Sequence, residues 1–254
     1  MRNIWIIAKR EFDHYFISPI AYVVAFLILF VIGFLFANNI YFFIQNALQS
    51  FGQTPEVTII TGPFGFLLVL SIPAITMRLL ADEARMGTLE LLLTAPIRDF
   101  ELVAGKWLGA FLFMLSILAV TLVYPLILNS LVTPGIDQKL AIAAYLGLTL
   151  VIAAFLALGV GISAVFTNQI AALFVTLIAF ILLWWVIGIP AQVLQGAASG
   201  VFQYLDMNSH YSAVTNGSIK LSDLIYFFSL IALGLFMGTP LLNSGDGANE
   251  GHER

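Results

Sequence analysis

Residues 77–109 read MRLLADEARMGTLELLLTAPIRDFELVAGKWLG, an island of charge between two long apolar runs. Four of the chain's ten Lys and Arg residues fall here (Arg78, Arg85, Arg98, Lys106), with five acids (Asp82, Glu83, Glu90, Asp99, Glu101). Inside the island, Gly87-Thr88-Leu89-Glu90-Leu91-Leu92-Leu93-Thr94 reads as a short amphipathic helix. Pro96 ends it, because proline lacks the N–H that would continue the ladder. Gly87 permits a sharp turn, the Thr88 hydroxyl can cap the helix, and Glu90 places a negative charge in its first turn, where the helix dipole favours one. Leu89, Leu92 and Leu93 then form an apolar ridge of a kind that fits a groove on a soluble partner. A chain that gathers its scarce charge in one loop presents that loop to something outside the membrane.

The composition on either side says why charge is scarce. The 254-residue chain is 61% hydrophobic and 9% charged, with a mean hydropathy of +1.01. A soluble domain is about half apolar and about a quarter charged. No single compact core buries so much apolar side chain, so lipid must solvate most of it. The formal net charge of −4 gives no reason to expect a nucleic-acid partner. The absence of cysteine excludes disulfides, thiol catalysis and Cys-based metal sites. Lys9, Arg10, Glu11 and Asp13 come too late for a signal peptide, and no small-residue cleavage site follows a short apolar core.

A spanning helix needs about 20 mostly apolar residues. Six stretches qualify: 20–40, 64–81, 106–131, 140–166, 169–189 and 222–242. The fourth and fifth are joined only through Thr167-Asn168-Gln169 and predict a tight antiparallel hairpin. The predicted fold is therefore an all-α polytopic membrane protein, a single transmembrane domain over 1–254. Lys and Arg near helix ends set orientation. Arg2, Lys9 and Arg10 precede the first span, and the island's basic residues lie between the second and third. The loop Tyr41 to Thr61 has neither Lys nor Arg. Both termini and the island, 82–104, are thus placed in the cytoplasm. The tail, 243–254, is acidic and does not bear on orientation.

Residues 1–18 differ in kind. Ile4, Trp5, Ala8, Phe12, Tyr15 and Phe16 recur at helical spacing, with Lys9, Arg10, Asp13 and His14 opposite and Ile6 and Ile7 blurring the pattern. This predicts an interfacial helix on the cytoplasmic leaflet, with Trp5, Lys9, Arg10 and Phe12 as its working residues and Ser18-Pro19 turning the chain into the bilayer. The loop 190–221 is too apolar for a solvated linker and predicts one or two short helices dipping into the outer leaflet. Irregular backbone at that depth must be covered by protein or line a wet cavity.

Catalytic signatures are missing. No phosphate-loop motif occurs. His14, His210 and His252 have no metal-ligand spacing, and Gly161-Ile162-Ser163 lacks the second glycine of a nucleophile elbow. His210 beside Asp206 reads as a surface contact. Small residues at Ala153, Ala157 and Gly161, and at Gly105 and Gly109, recur at intervals of four and permit close helix packing.

Pro73-Ala74-Ile75-Thr76-Met77-Arg78, Glu83, the run Gly87 to Pro96, and Gly105-Lys106 together resemble the signature of ABC-2-type transporter permeases, closest to those of gliding-motility-type transport systems. Phe202-x-x-Leu205, Ser209-His210, Gly217, Asp223-Leu224 and Tyr226-Phe227 are similar to the end of the same group, so the likeness extends to about Phe236. The resemblance implies a non-enzymatic permease subunit in the inner or plasma membrane, paired with a second permease copy or paralogue and with two ABC ATPase subunits. It implies no cofactor in this chain, since ATP and magnesium would belong to the ATPase. It makes the island the coupling element, with Glu83, Gly87, Thr88, Leu89, Glu90, Leu92, Leu93, Thr94 and Pro96 as its ATPase-coupling residues. It leaves room for an accessory subunit on the outer side. The alternative is a membrane anchor that recruits an ATPase for assembly or mechanical work and moves no solute.

Overall fold

A computed structural model describes residues 2–46, 57–81, 85, 98–132, 135–194 and 196–243. The described part is all helix and turn, without a strand, and holds six helices long and apolar enough to cross a membrane. The chain is an all-α polytopic membrane protein.

α1 (Arg2–Tyr15) precedes the first span, α2 (Pro19–Gln45). Pro19 starts α2, where its missing N–H costs nothing, and holds Ser18 extended at φ −80°, ψ 122°, as a residue before proline prefers. α3 (Thr58–Thr76) is the second span. The third, Asp99–Leu131, is longer than its apolar core and consists of α4 (Asp99–Thr121) and α5 (Val123–Leu131). The break between them has a cause: Pro125 cannot donate to the carbonyl four residues back, on Thr121. The Tyr145 hydroxyl donates to that carbonyl instead, at 2.9 Å.

Tyr145 belongs to the fourth span, α6 (Gln138–Ser163), which Asp137 caps by accepting from the Lys139 and Leu140 amides at 2.9 and 3.3 Å. The fifth span begins with α7 (Gln169–Ile181), capped by the Asn168 side chain. It continues through one π-helical turn, Leu182–Val186, into α8 (Ile189–Val193). α9 (Ala197–Leu205) and α10 (Met207–Thr215) follow, and α11 (Leu221–Asn243) is the sixth span. Segment 190–221 thus carries short helices of two kinds. α9 buries no residue, while α10 inserts Met207, His210, Tyr211 and Val214.

α6 is the axis of the bundle, with α3, α4, α7, α10 and α11 around it. Its small residues allow this. A Cβ on Gly161 would strike the Gly234 backbone of α11, and one on Gly234 would strike Ala157, so the two backbones touch as small-residue faces allow. Large apolar side chains remain exposed on the outer helices, among them Phe26, Phe30 and Phe34 of α2, as lipid contact requires. The starts of α2, α4 and α7 and the ends of α3, α6 and α11 lie with α1 at one end of the bundle, here called basal; α9 and α10 lie at the opposite end.

Candidate functional site

The basal end is built on a glycine trough. Gly105 and Gly109 lie one turn apart on α4, and α1 rests across them. A Cβ on Gly105 would stand 2.7 Å from the Ile7 Cβ; one on Gly109 would stand 2.7 Å from the Glu11 Cβ and 2.8 Å from the Ala8 carbonyl oxygen. Ile7, Ala8 and Tyr15 are buried on this face, and the Tyr15 ring stacks on Phe113 of α4 at 4.7 Å.

Charge completes the joint. The Lys106 ammonium lies 3.2 Å from Glu11 Oε1, with 2% of its side chain exposed. Arg10 donates to the same oxygen at 2.9 Å. Burial pushes the Glu11 carboxyl up, but the Lys106 charge and the hydrogen bonds from Arg10 and Lys106 outweigh it and hold it below its ordinary 4.5. Nearby, Asn3 Nδ2 donates to Glu101 Oε2 at 2.9 Å, and the Arg98 amide donates to the same oxygen at 3.3 Å. Arg78 donates to Ser18 Oγ at 2.7 Å, joining the turn between α1 and α2 to the end of α3.

The chain leaves α3 from a fixed position. Ser163, the last residue of α6, accepts from the Leu80 and Ala81 amides at 3.3 and 3.2 Å. Thr76 sits on Gly159, where a Cβ would lie 2.5 Å from its hydroxyl oxygen. The return into α4 is tied to α1 by Asn3 and Glu101, and to α6 by Trp107 Nε1, which donates to the Ala153 carbonyl at 3.0 Å. Both ends of the charged island are therefore anchored to the bundle. Its interior, with Glu83, Gly87, Thr88, Leu89, Glu90, Leu92, Leu93, Thr94 and Pro96, lies outside the described residues; Arg85 is exposed.

Trp5, Lys9 and Arg10 are exposed and Phe12 is half-buried. The apolar stripe of α1 is divided: Ile7 belongs to the protein-facing side, while Trp5, Ile6 and Phe16 remain 57%, 58% and 47% exposed. The helix of the third span starts at Asp99 rather than at Lys106, and Lys106, counted in sequence with the island's charges, is buried within α4. Glu11 was not among the predicted residues, although it falls on the face of Ile4, Ala8 and Tyr15, where a lone carboxylate signals a buried cation opposite.

At the opposite end, His210 pairs with Asp223 rather than with Asp206. Its Nδ1 lies 2.7 Å from Asp223 Oδ1 and its Nε2 lies 2.8 Å from the Tyr204 carbonyl oxygen. The ring stacks on Tyr226 at 4.2 Å. Asp206 instead caps α10 through the Asn208 amide. Among the described residues, no three acids or histidines gather as metal ligands would.

The family described as ABC-2 family transporter protein matches residues 5–242, from α1 to the end of the sixth span. No curated protein matches the chain.

Proposed function

This chain belongs to the ABC-2 family of transporter proteins, and we propose that it is the permease of an exporter whose power stroke enters at the basal end. In this reading the basal end faces the cytoplasm, as the Lys/Arg asymmetry requires, in the inner or plasma membrane. Two permease copies or paralogues form the path, and ABC ATPase subunits hold ATP and magnesium. The island between α3 and α4 docks on the ATPase. Leu89, Leu92 and Leu93 enter its groove; Thr88 and Glu90 order the helix that presents them.

The observation that supports this most is the anchoring of both ends of the island. A displacement of the loop would pass to α6 through Ser163 and Trp107, and to α1 through the Glu101 and Lys106 contacts, rather than dissipate in slack chain. α1 then acts as a brace on the inner leaflet, with Trp5, Phe12 and Phe16 toward lipid and Lys9 and Arg10 toward headgroups.

The test is co-purification of the ATPase with wild type, Glu90→Lys and Leu92→Asp, with ATP hydrolysis measured in liposomes. The variants should insert and dimerise but lose the ATPase or fail to couple its hydrolysis to export. Wild-type behaviour in both ends this assignment. Hydrolysis that no candidate solute stimulates, in a complex that stays intact, favours the anchor reading.

A further inference from the structure

A cleft of about 420 Å³ opens at the opposite end, between the first turns of α3, the π-helical turn and α10. Among the described residues, no acidic, basic or histidine side chain lines it. One wall is aromatic: Trp185 and Phe66 meet edge to face at 5.7 Å and are 41% and 48% exposed. Facing them, α10 presents Asn208 and Ser212, and its C-cap residue Asn216 follows at the same spacing of four, on the same side of the helix. Among the described residues, the carboxamides of Asn208 and Asn216 have no protein partner. Gly62 forms part of the lining, and a Cβ placed on it would meet nothing within 4 Å. The π-helical turn that carries Trp184 and Trp185 is a rare element and recurs at functional sites.

Each property narrows the ligand. An anion needs a cation, and none lines the cleft among the described residues. An alkyl chain would desolvate two carboxamides without pairing them, at a cost in affinity. A quaternary ammonium can meet the aromatic wall but offers nothing for the carboxamides opposite to pair with. A membrane-interface belt accounts for Trp185, not for the amide ladder opposite it. A neutral ring with an apolar C–H face and a rim of hydroxyls satisfies both walls: the face stacks on the indole, and the hydroxyls pair with amides that donate and accept. The volume lies in the range of small-ligand sites.

We propose that this cleft binds a neutral glycosyl group, stacked on Trp185 and hydrogen-bonded by Asn208, Ser212 and Asn216. The group can arrive as the headgroup of a glycolipid or as a free sugar. Binding does not depend on the exporter reading, since the cleft requires neither ATP nor a basal partner.

The test uses the full chain in phosphatidylcholine nanodiscs, with tryptophan fluorescence read during titration. Maltose is added in solution in one arm, dodecyl maltoside is doped into the bilayer in a second, and dodecylphosphocholine replaces it in a third. A saturable change with dodecyl maltoside alone assigns the lipid source; a change with maltose assigns the free sugar. Asn208→Ala should weaken binding about five- to tenfold. Gly62→Leu projects into the cleft from a position whose Cβ meets nothing within 4 Å, so the protein should fold while binding falls at least tenfold. No saturable change with either maltoside probe, an equal response to dodecylphosphocholine, or undiminished binding in folded Gly62→Leu overturns the proposal.

Discussion

Lys106 and Glu11, 95 residues apart in sequence, meet at 3.2 Å where α1 crosses α4, with 2% and 12% of their side chains exposed. Removing one member of a buried pair costs roughly 3–5 kcal/mol when the remaining charge is left uncompensated. Arg10 shares the Glu11 oxygen and Glu11 keeps some water, so Glu11→Ala should fall toward the lower end of that range. Lys106→Met combined with Glu11→Leu should recover most of the loss. Thermal unfolding of the reconstituted single and double variants measures this; additive losses would show that the two do not act as a pair.

The same pair predicts an acid limit. The folded Glu11 carboxyl titrates below its ordinary 4.5, so its stabilising contribution is complete above that value. It is lost as pH falls through the depressed folded value. Amide hydrogen-exchange protection factors in α1, corrected for the intrinsic pH dependence of exchange, should fall below about pH 4.5 in wild type. Glu11→Gln should be less protected at neutral pH and show a flatter dependence; equal slopes would reject the linkage.

Gly109→Ala should loosen the basal joint more than Gly105→Ala. The new methyl at 109 meets the Ala8 backbone carbonyl at 2.8 Å, whereas the closest contacts at 105 are with the Ile7 side chain. Overpacking of this kind costs roughly 1–3 kcal/mol. Gly200→Ala, with open space around its Cβ, should be neutral or stabilising by about 0.5–1 kcal/mol, because alanine restricts the unfolded chain. Proteolytic release of α1 ranks the three variants.

Asp223 receives the His210 ring at 2.7 Å and the Lys220 amide at 3.0 Å, and so fastens α10 to the first turn of α11. Asp223→Ala leaves the Lys220 amide unpaired and removes the His210 contact, and should cost about 1–3 kcal/mol. Asp206→Ala should cost about 1 kcal/mol, as loss of a helix cap does. The reverse order in thermal unfolding would make Asp206 the structural carboxylate.

Single cysteines at Gln49, Arg98 and Ser209 in this Cys-free chain report orientation. An impermeant thiol reagent added to intact cells should label positions 49 and 209 and spare 98. Labelling at 98 alone inverts the assignment.

Much of the architecture was legible because lipid imposes one rule on every span: long apolar runs must become helices that satisfy their own backbone. That rule yields the all-α class and the six helices without knowledge of their neighbours. The Pro19 start is equally local, since proline constrains only its own φ and the residue before it. The division of the α1 stripe was not legible. Periodicity shows which side chains are apolar, but Ile7 and Trp5 differ only in whether α4 or the surroundings faces them.

The sequence by itself therefore determined the class and the number of spans, because these depend on interactions within a turn or on transfer to lipid. Tertiary structure alone decided that α1 seats on Gly105 and Gly109, that Lys106 is buried against Glu11, that His210 chooses Asp223 over the nearer Asp206, and that Trp185 faces Asn208 across a cleft. Each joins residues from separate helices. Such contacts are fixed by where small residues let backbones approach and by which partner relieves a buried charge, and neither is set by spacing along one helix.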